Sequence, residues 1–275
     1  MTTQPLTVQR HYDQVIAPHY DQDPQSVLSN SLGRALNQLR AQRLLQKDEV
    51  ELLDVGVGTG LFLGKLREAV TGRFKPCGLD LSEKMIEIAR GRVPELEAAG
   101  DDAANLDAHF DGRLFDLVCT HFITGFVPAS VLAPKIIRRL RPGGCWSLVA
   151  GTKGGFPALQ SQVDRPLVRL AFGGNRLAVQ EITCNPAGRE ELVELLTRNG
   201  FEIAAAETLA PPVRFRNLED FLEFGYRGGW LTPFVEALGL DRAGWLKRKL
   251  INLLCFPIAD HHEIEIILAR KPAQA

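Results

Sequence analysis

Asp54, Gly56, Gly58, Gly60, Asp80, Asp102 and His121 are the residues whose types and spacing can do chemistry in this 275-residue chain. Glu51-Leu52-Leu53-Asp54-Val55 reads as an apolar strand that empties into Gly56-Val57-Gly58-Thr59-Gly60. Three glycines in five positions open dihedrals closed to other residues and let a ligand press against bare peptide. A pyrophosphate-binding turn is spaced Gly-x-Gly-x-x-Gly, which from Gly56 requires a glycine at 61, and Leu61 stands there. Asp54 would repel a pyrophosphate but could help to hold a cationic or ammonium-bearing ligand. Asp80 ends a second short strand, Phe74 to Asp80, roughly 20 residues after the turn, where a carboxylate accepts ribose hydroxyls in such folds.

The elements around these residues place them at one edge of a sheet. Leu61, Leu66 and Val70 have helical spacing after the turn, Ser82 makes an N-cap for the stretch Glu83 to Arg90, and Phe115 to Phe122 is almost wholly apolar, as a parallel strand buried on both faces should be. Gly56-x-Gly58-x-Gly60, the run Asp80-x-Ser82-x-x-Met85-x-x-x-Ala89, Asp102-Ala103-x-Asn105-Leu106 and the turn Leu140-Arg141-Pro142-Gly143-Gly144 before Cys145 to Ala150 follow one another in order. Together they resemble the motifs of the class I S-adenosylmethionine-dependent methyltransferases of small-molecule type. The resemblance implies a Rossmann-like, doubly wound α/β fold with a seven-stranded, mostly parallel sheet and an antiparallel last strand. It also implies S-adenosyl-L-methionine as cofactor, bound by Asp54, Gly56, Gly58, Gly60, Asp80, Leu81, Asp102, Ala103 and Thr120. In it Asp80 takes the ribose, Asp102 the adenine amino group, and the amide after Asp102 meets the ring. Tyr12-Asp13 and Tyr20-Asp21 are similar to the family's N-terminal lid signature, which makes Tyr12 and Tyr20 candidates at the methionine end of the cofactor. A packed ring tying the lid to the core is the other role open to each tyrosine.

Composition is that of an ordinary globular protein, 45% hydrophobic and 24% charged. With 32 basic and 33 acidic residues, the formal charge is −1, and no global field invites nucleic acid or an anionic membrane. Five cysteines without close pairs read as small buried hydrophobes in a reducing compartment. No Cys-x-x-Cys or His-x-x-x-His spacing suggests a metal, and His261-His262-Glu263 opens a strand, where adjacent side chains face opposite sides. Met1 to Pro5 lacks the charged start and apolar stretch of an export signal, and no apolar run reaches the ~18 residues of a spanning helix, so a cytoplasmic location is expected.

Three segments follow: an N-terminal helical lid, 1–48; a cofactor-binding core, 49–209 and 261–275; and a helical insertion, 210–260. The connection Lys153 to Pro186 carries apolar Phe156, Leu159, Leu167, Leu170 and Phe172 and a Gly173-Gly174-Asn175 break. Arg189 to Gly200 is an amphipathic helix with a glycine stop, and Glu263 to Arg270 is the last strand. The roughly fifty residues before it far exceed a common hairpin connection. They contain helices from Asn217 to Tyr226, Leu231 to Leu240 and Trp245 to Cys255, and suit a roof over a substrate pocket, a homodimer surface or a satellite core. The expected activity is methyl transfer to an oxygen, nitrogen or carbon of a small aromatic or hydrophobic metabolite. A cofactor-binding regulator and a protein methyltransferase are the alternatives. His121, at the tip of the fourth strand, is the best-placed general base, with His19 in the lid as a second candidate.

Overall fold

The computed structural model describes residues 5–171 and 183–273; Phe172 and the Gly173-Gly174-Asn175 break lie outside the described residues. The chain begins with α1 (Pro5–His11), a π-helical turn Tyr12–Ile16 and a short 3-10 turn Tyr20–Gln22, then α2 (Val27–Ala41). Next come β1 (Glu49–Val55), α3 (Leu61–Ala69), β2 (Arg73–Asp80), α4 (Glu83–Arg92), β3 (Glu97–Gly100), β4 (Phe115–His121), α5 (Ala129–Arg139) and β5 (Leu140–Gly151). Two short helices, α6 (Pro157–Val163) and α7 (Pro166–Ala171), precede α8 (Arg189–Arg198) and β6 (Glu202–Leu209). After β7 (Pro212–Phe215), α9 (Leu218–Leu222), α10 (Thr232–Ala237), α11 (Trp245–Cys255) and β8 (Ile258–His261), the chain ends on β9 (Ile264–Arg270).

The sheet order is β3-β2-β1-β4-β5-β9-β6. The first five strands run parallel, and β9 enters antiparallel between β5 and β6. Both faces are covered, and strand alternation divides the core. Leu52, Leu117, Cys119, Cys145 and Val149 face one apolar cluster with α2, α3 and α4; Leu53, Val55, Val118, Trp146 and Leu148 face the other with α5 and α8. Strand order reverses between β1 and β4, and the crevice there, outside the strands' carboxyl ends, is where open α/β sheets hold ligands.

Two expectations need correction. The turn Leu140 to Gly144 does not precede the fifth strand but lies within it: Phe115 pairs with Leu140 and Leu117 with Cys145, so the intervening residues form an irregularity in the ladder. Gly143 takes φ +75°, and a Cβ on Gly144 would stand 2.9 Å from Arg141 O, which explains the glycines. The segment between β6 and β9 is not helical throughout. Its ends, β7 and β8, pair antiparallel from Pro212 with His261 to Phe215 with Ile258, and this ribbon brackets the helices α9, α10 and α11 along the chain. Within it Asn217 caps α9 by accepting from the Asp220 amide at 2.9 Å.

Candidate functional site

The turn after β1 is held open by its neighbours. Gly56 (φ +83°), Gly58 (+54°) and Gly60 (+70°) occupy the left-handed region, where a side chain is strained. A Cβ on Gly56 would stand 2.9 Å from Ile123 Cδ1, and one on Gly60 3.0 Å from Ala89 Cα. Beside the turn, Asp80 Oδ2 accepts from the Gly58 amide at 2.8 Å and Oδ1 from the Ser82 amide at 2.9 Å. The carboxylate keeps acceptor capacity beyond these amides. Burial pushes the Asp80 carboxyl up to about 6, against the pull of those two amides. Asp54 is buried below the turn with Oδ1 unpartnered, and burial, reinforced by the charge of Asp80, holds its carboxyl well above the usual range.

These groups border a cavity of about 480 Å³. Gly56, Gly58, Asp80, Leu81, Ser82 and Met85 line it from β1, β2 and α4; Asp101, Asp102 and Ala103 from the end of β3; His121, Phe122 and Ile123 from the end of β4; and Tyr12 and Tyr20 from the N-terminal segment. Asp102 also caps the following 3-10 turn through the Ala104 amide at 2.8 Å. Asp101 is turned to His109 at 2.7 Å, which holds its carboxyl below the usual range.

Each lid tyrosine is followed by an aspartate that fastens it. Asp13 accepts from Ser82 Oγ at 2.5 Å and from the Lys84 amide at 3.2 Å; Asp21 accepts from Thr59 Oγ1 at 2.6 Å and pairs with Arg92 at 2.6 Å. The tyrosines thus hang over the cavity while their neighbours grip α4 and the glycine turn. Burial raises both phenols well above the ordinary value, so they stay neutral.

A second cavity, of about 90 Å³, shares Tyr12, Tyr20, Phe122, Gly125, Phe126, Thr183 and Pro233 with the first. Its own walls come from Gly151, Thr152, Lys153, Gly155, Phe156, Asn185, Gly228, Gly229, Trp230, Leu231 and His262. Trp230 meets Phe122 edge-on at 4.7 Å and stacks on Phe224 at 5.7 Å. Phe122 (φ +60°) and Phe156 (φ +59°) both hold a backbone conformation that costs a bulky residue about 1–3 kcal/mol. Asp260 anchors the Phe156 corner by capping α6 through the amides of Ala158 and Leu159.

Of the residues expected from sequence, Tyr12, Tyr20, Gly56, Gly58, Asp80, Leu81, Asp102, Ala103 and His121 meet at the large cavity. Gly60 and Asp54 stand behind its wall. Thr120 does not reach it: strand alternation turns it to the opposite face from His121, where it is buried and accepts from Trp146 Nε1 at 2.8 Å. His19 is absent from both cavity walls, with Nδ1 2.9 Å from Val15 O. His121 has Nε2 3.0 Å from Ser147 Oγ and Nδ1 buried without a partner, and burial pushes its imidazole down to about 3, so it is neutral. Phe122, Phe156, Trp230 and His262 were not anticipated; the only local signal is Gly151-Thr152-Lys153-Gly154-Gly155, a second glycine cluster after a strand. Among the described residues, no group of three histidine, cysteine or acidic side chains is placed to hold a metal ion, and no helix is long and apolar enough to cross a membrane.

Residues 52–144 match a family model described as a methyltransferase domain. Over these residues the chain carries a methyltransferase domain, consistent with the class I, S-adenosylmethionine-dependent enzymes. The chain is similar to an uncharacterised 37.1 kDa protein of transposon TN4556 in Streptomyces fradiae, 31% identical over 158 residues, which are 55% of this chain and 43% of that protein. It is 29% identical over 162 residues to a demethylmenaquinone methyltransferase of Staphylococcus aureus, covering 54% of this chain and 66% of the relative. The match thus spans less than two thirds of the length of either relative. The BH2331 protein of Bacillus halodurans shares the fold, with a TM-score of 0.58 at 18% identity, over 89% of this chain and all of that one.

Proposed function

We propose that the chain transfers a methyl group from S-adenosylmethionine to a small, largely apolar acceptor. The observation that carries this is the pairing of two joined cavities, one lined by carboxylates and bare glycine backbone, the other by aromatic rings. The residues of the first fit the cofactor. Asp80 has lone pairs for ribose hydroxyls, and Asp102 and Ala103 suit the adenine edge, while Asp54 lies behind the wall as support for the turn.

The bound cofactor supplies a methyl group already activated by its sulfonium. The chain's own task is alignment and exclusion of water. Tyr12 and Tyr20, lining both cavities, close the junction across which the methyl passes. His121, with Nε2 on Ser147 and Nδ1 buried, serves in this reading as wall rather than base. The segment 210–260 acts as the roof of the acceptor site through Trp230 and Leu231. A formal charge of −1 favours a small molecule over a polyphosphate chain as acceptor.

Calorimetry with S-adenosylmethionine tests the first half: saturable binding is expected, and its absence overturns the proposal. Release of S-adenosylhomocysteine in the presence of a panel of aromatic acceptors tests the second, since a regulator that only binds the cofactor yields none.

A further inference from the structure

Among the aromatic rings of the second cavity, Phe122, Phe156 and Trp230, stands one polar ring, His262. His262 is only 5% exposed, stacks on Phe156 at 4.5 Å with planes 18° apart, and meets Trp230 edge-on at 5.4 Å. Its Nδ1 is buried, and no group of the described residues hydrogen-bonds it. A leucine or phenylalanine would fill the same space without leaving a polar atom bare. The backbone has made room for this ring in particular. A Cβ on Gly155 would stand 2.8 Å from Nδ1, and one on Gly151 2.9 Å from Cε1 and 3.1 Å from Nε2. Nδ1 is the nitrogen buried without a partner; Nε2, which is not wholly buried and has no partner among the described residues, is the one a guest in the cavity can meet.

The ring is also held in place. The His262 amide donates to Pro211 O at 3.1 Å, and the Phe156 amide donates to His261 O at 2.9 Å. Thr152, the neighbouring hydroxyl in the wall, is committed to Glu263 at 2.5 Å. Burial, helped by the charge of His261, pushes the His262 imidazole down to about 3. Near pH 7 it is therefore neutral, able to donate to or accept from one oxygen, and brings no charge to compete with a sulfonium.

We propose that His262 positions the methyl acceptor, and that the acceptor is a flat ring bearing an oxygen substituent, its faces against Phe122, Phe156 and Trp230 and its oxygen on the imidazole. This rests on the methyl-transfer reading and adds to it the class of acceptor and the residue that orients it. An aromatic clamp alone takes any flat apolar guest. The single hydrogen bond fixes rotation within the clamp, and so which ring atom faces the junction with the larger cavity.

The test uses 4-methylphenol and toluene, which differ by one hydroxyl. Calorimetry on the full chain, with and without S-adenosylhomocysteine, should give 4-methylphenol about ten-fold the affinity of toluene. In His262→Phe, which keeps a flat ring, the preference should fall to about two-fold or less while cofactor affinity is unchanged; His262→Gln should recover part of it. In protein labelled with 13C-histidine, 4-methylphenol but not toluene should move one Cε1 resonance, the one missing from the His262→Gln spectrum. Equal affinities in the wild type, a preference that survives in His262→Phe, or a histidine spectrum indifferent to 4-methylphenol would each overturn the inference. Failure to bind S-adenosylmethionine would remove the methyl-transfer reading instead, and the titrations without cofactor keep the two outcomes apart.

Discussion

The two cavities are built from different materials. The larger takes its shape from backbone: glycines in the left-handed region, amides donated to Asp80, and strand tips in parallel register. The smaller takes its shape from side chains: Phe122, Phe156, Trp230 and His262 leaning on one another from four separate segments. A cradle made of main chain tolerates little change in its own residues, whereas a clamp made of rings can be recut one ring at a time. The first suits one fixed ligand, and the second suits a ligand that can be exchanged for another.

The same contrast decides what could be read from the sequence. Gly56, Gly58, Asp80 and Asp102 were legible because a tight turn, a strand end and a cap each demand a residue type within a short stretch, and the spacing is local. The sheet was legible for the same reason: buried parallel strands such as Leu117 to Cys119 are apolar on both faces. Trp230 and His262 were not legible, because nothing near either residue tells which cavity wall it faces; β7, β8 and the 151–157 loop bring them together across the fold. Thr120 was misplaced by a single step of strand alternation. Asp13 and Asp21 stood in view beside Tyr12 and Tyr20, but their role as fasteners needs the positions of Ser82 and Arg92.

Removal of a carboxylate from the backbone cradle should have the largest effect. Asp80→Ala deletes the acceptor of two amide hydrogen bonds and of the proposed ribose contacts, each charge-assisted bond being worth about 1.5–3 kcal/mol. Calorimetry should show S-adenosylmethionine affinity reduced about 100-fold or more. Unchanged affinity would erase the distinction between the cavities.

Loss of a ring from the clamp should act on the acceptor alone. Trp230→Ala removes a wall of the second cavity and its contacts with Phe122, Phe224 and His262. The acceptor KM should rise roughly ten-fold, consistent with the worth of a few aromatic contacts, with cofactor affinity within about two-fold of wild type. A parallel loss of cofactor affinity would mean that the two cavities form one unit.

Protonation sharpens the comparison without a mutation in the clamp. Asp80 titrates near 6 when folded, above the roughly 3.9 of an unfolded aspartate, so between the two the folded state binds more protons. Stability of the ligand-free protein should therefore fall as the pH rises from about 4 to about 6 and level off above. Cofactor affinity should move the other way, rising several-fold from about pH 5 to pH 7 as the carboxylate that accepts the hydroxyls forms. Asp54, also raised by burial, lowers stability with rising pH in the same sense, so the measurement that counts is the difference from Asp80→Asn, in which both slopes should shrink.

The smallest effect belongs to the fasteners that join the lid to the cradle. Arg92 pairs with Asp21 at 2.6 Å and donates to Thr59 O at 2.8 Å, with both charged side chains about one-third exposed. Partly exposed ion pairs contribute about 1 kcal/mol or less, so Arg92→Ala should cost about five-fold at most in cofactor affinity. Because Debye screening shortens to about 3 Å at 1 M salt, wild type and variant should converge as salt is raised. Convergence would assign Asp21 and Arg92 to holding Tyr20 over the cavity. A loss as large as that of Asp80→Ala, unmoved by salt, would make the lid a structural part of the cradle, and the contrast between main chain and side chain would then have to be redrawn to include it.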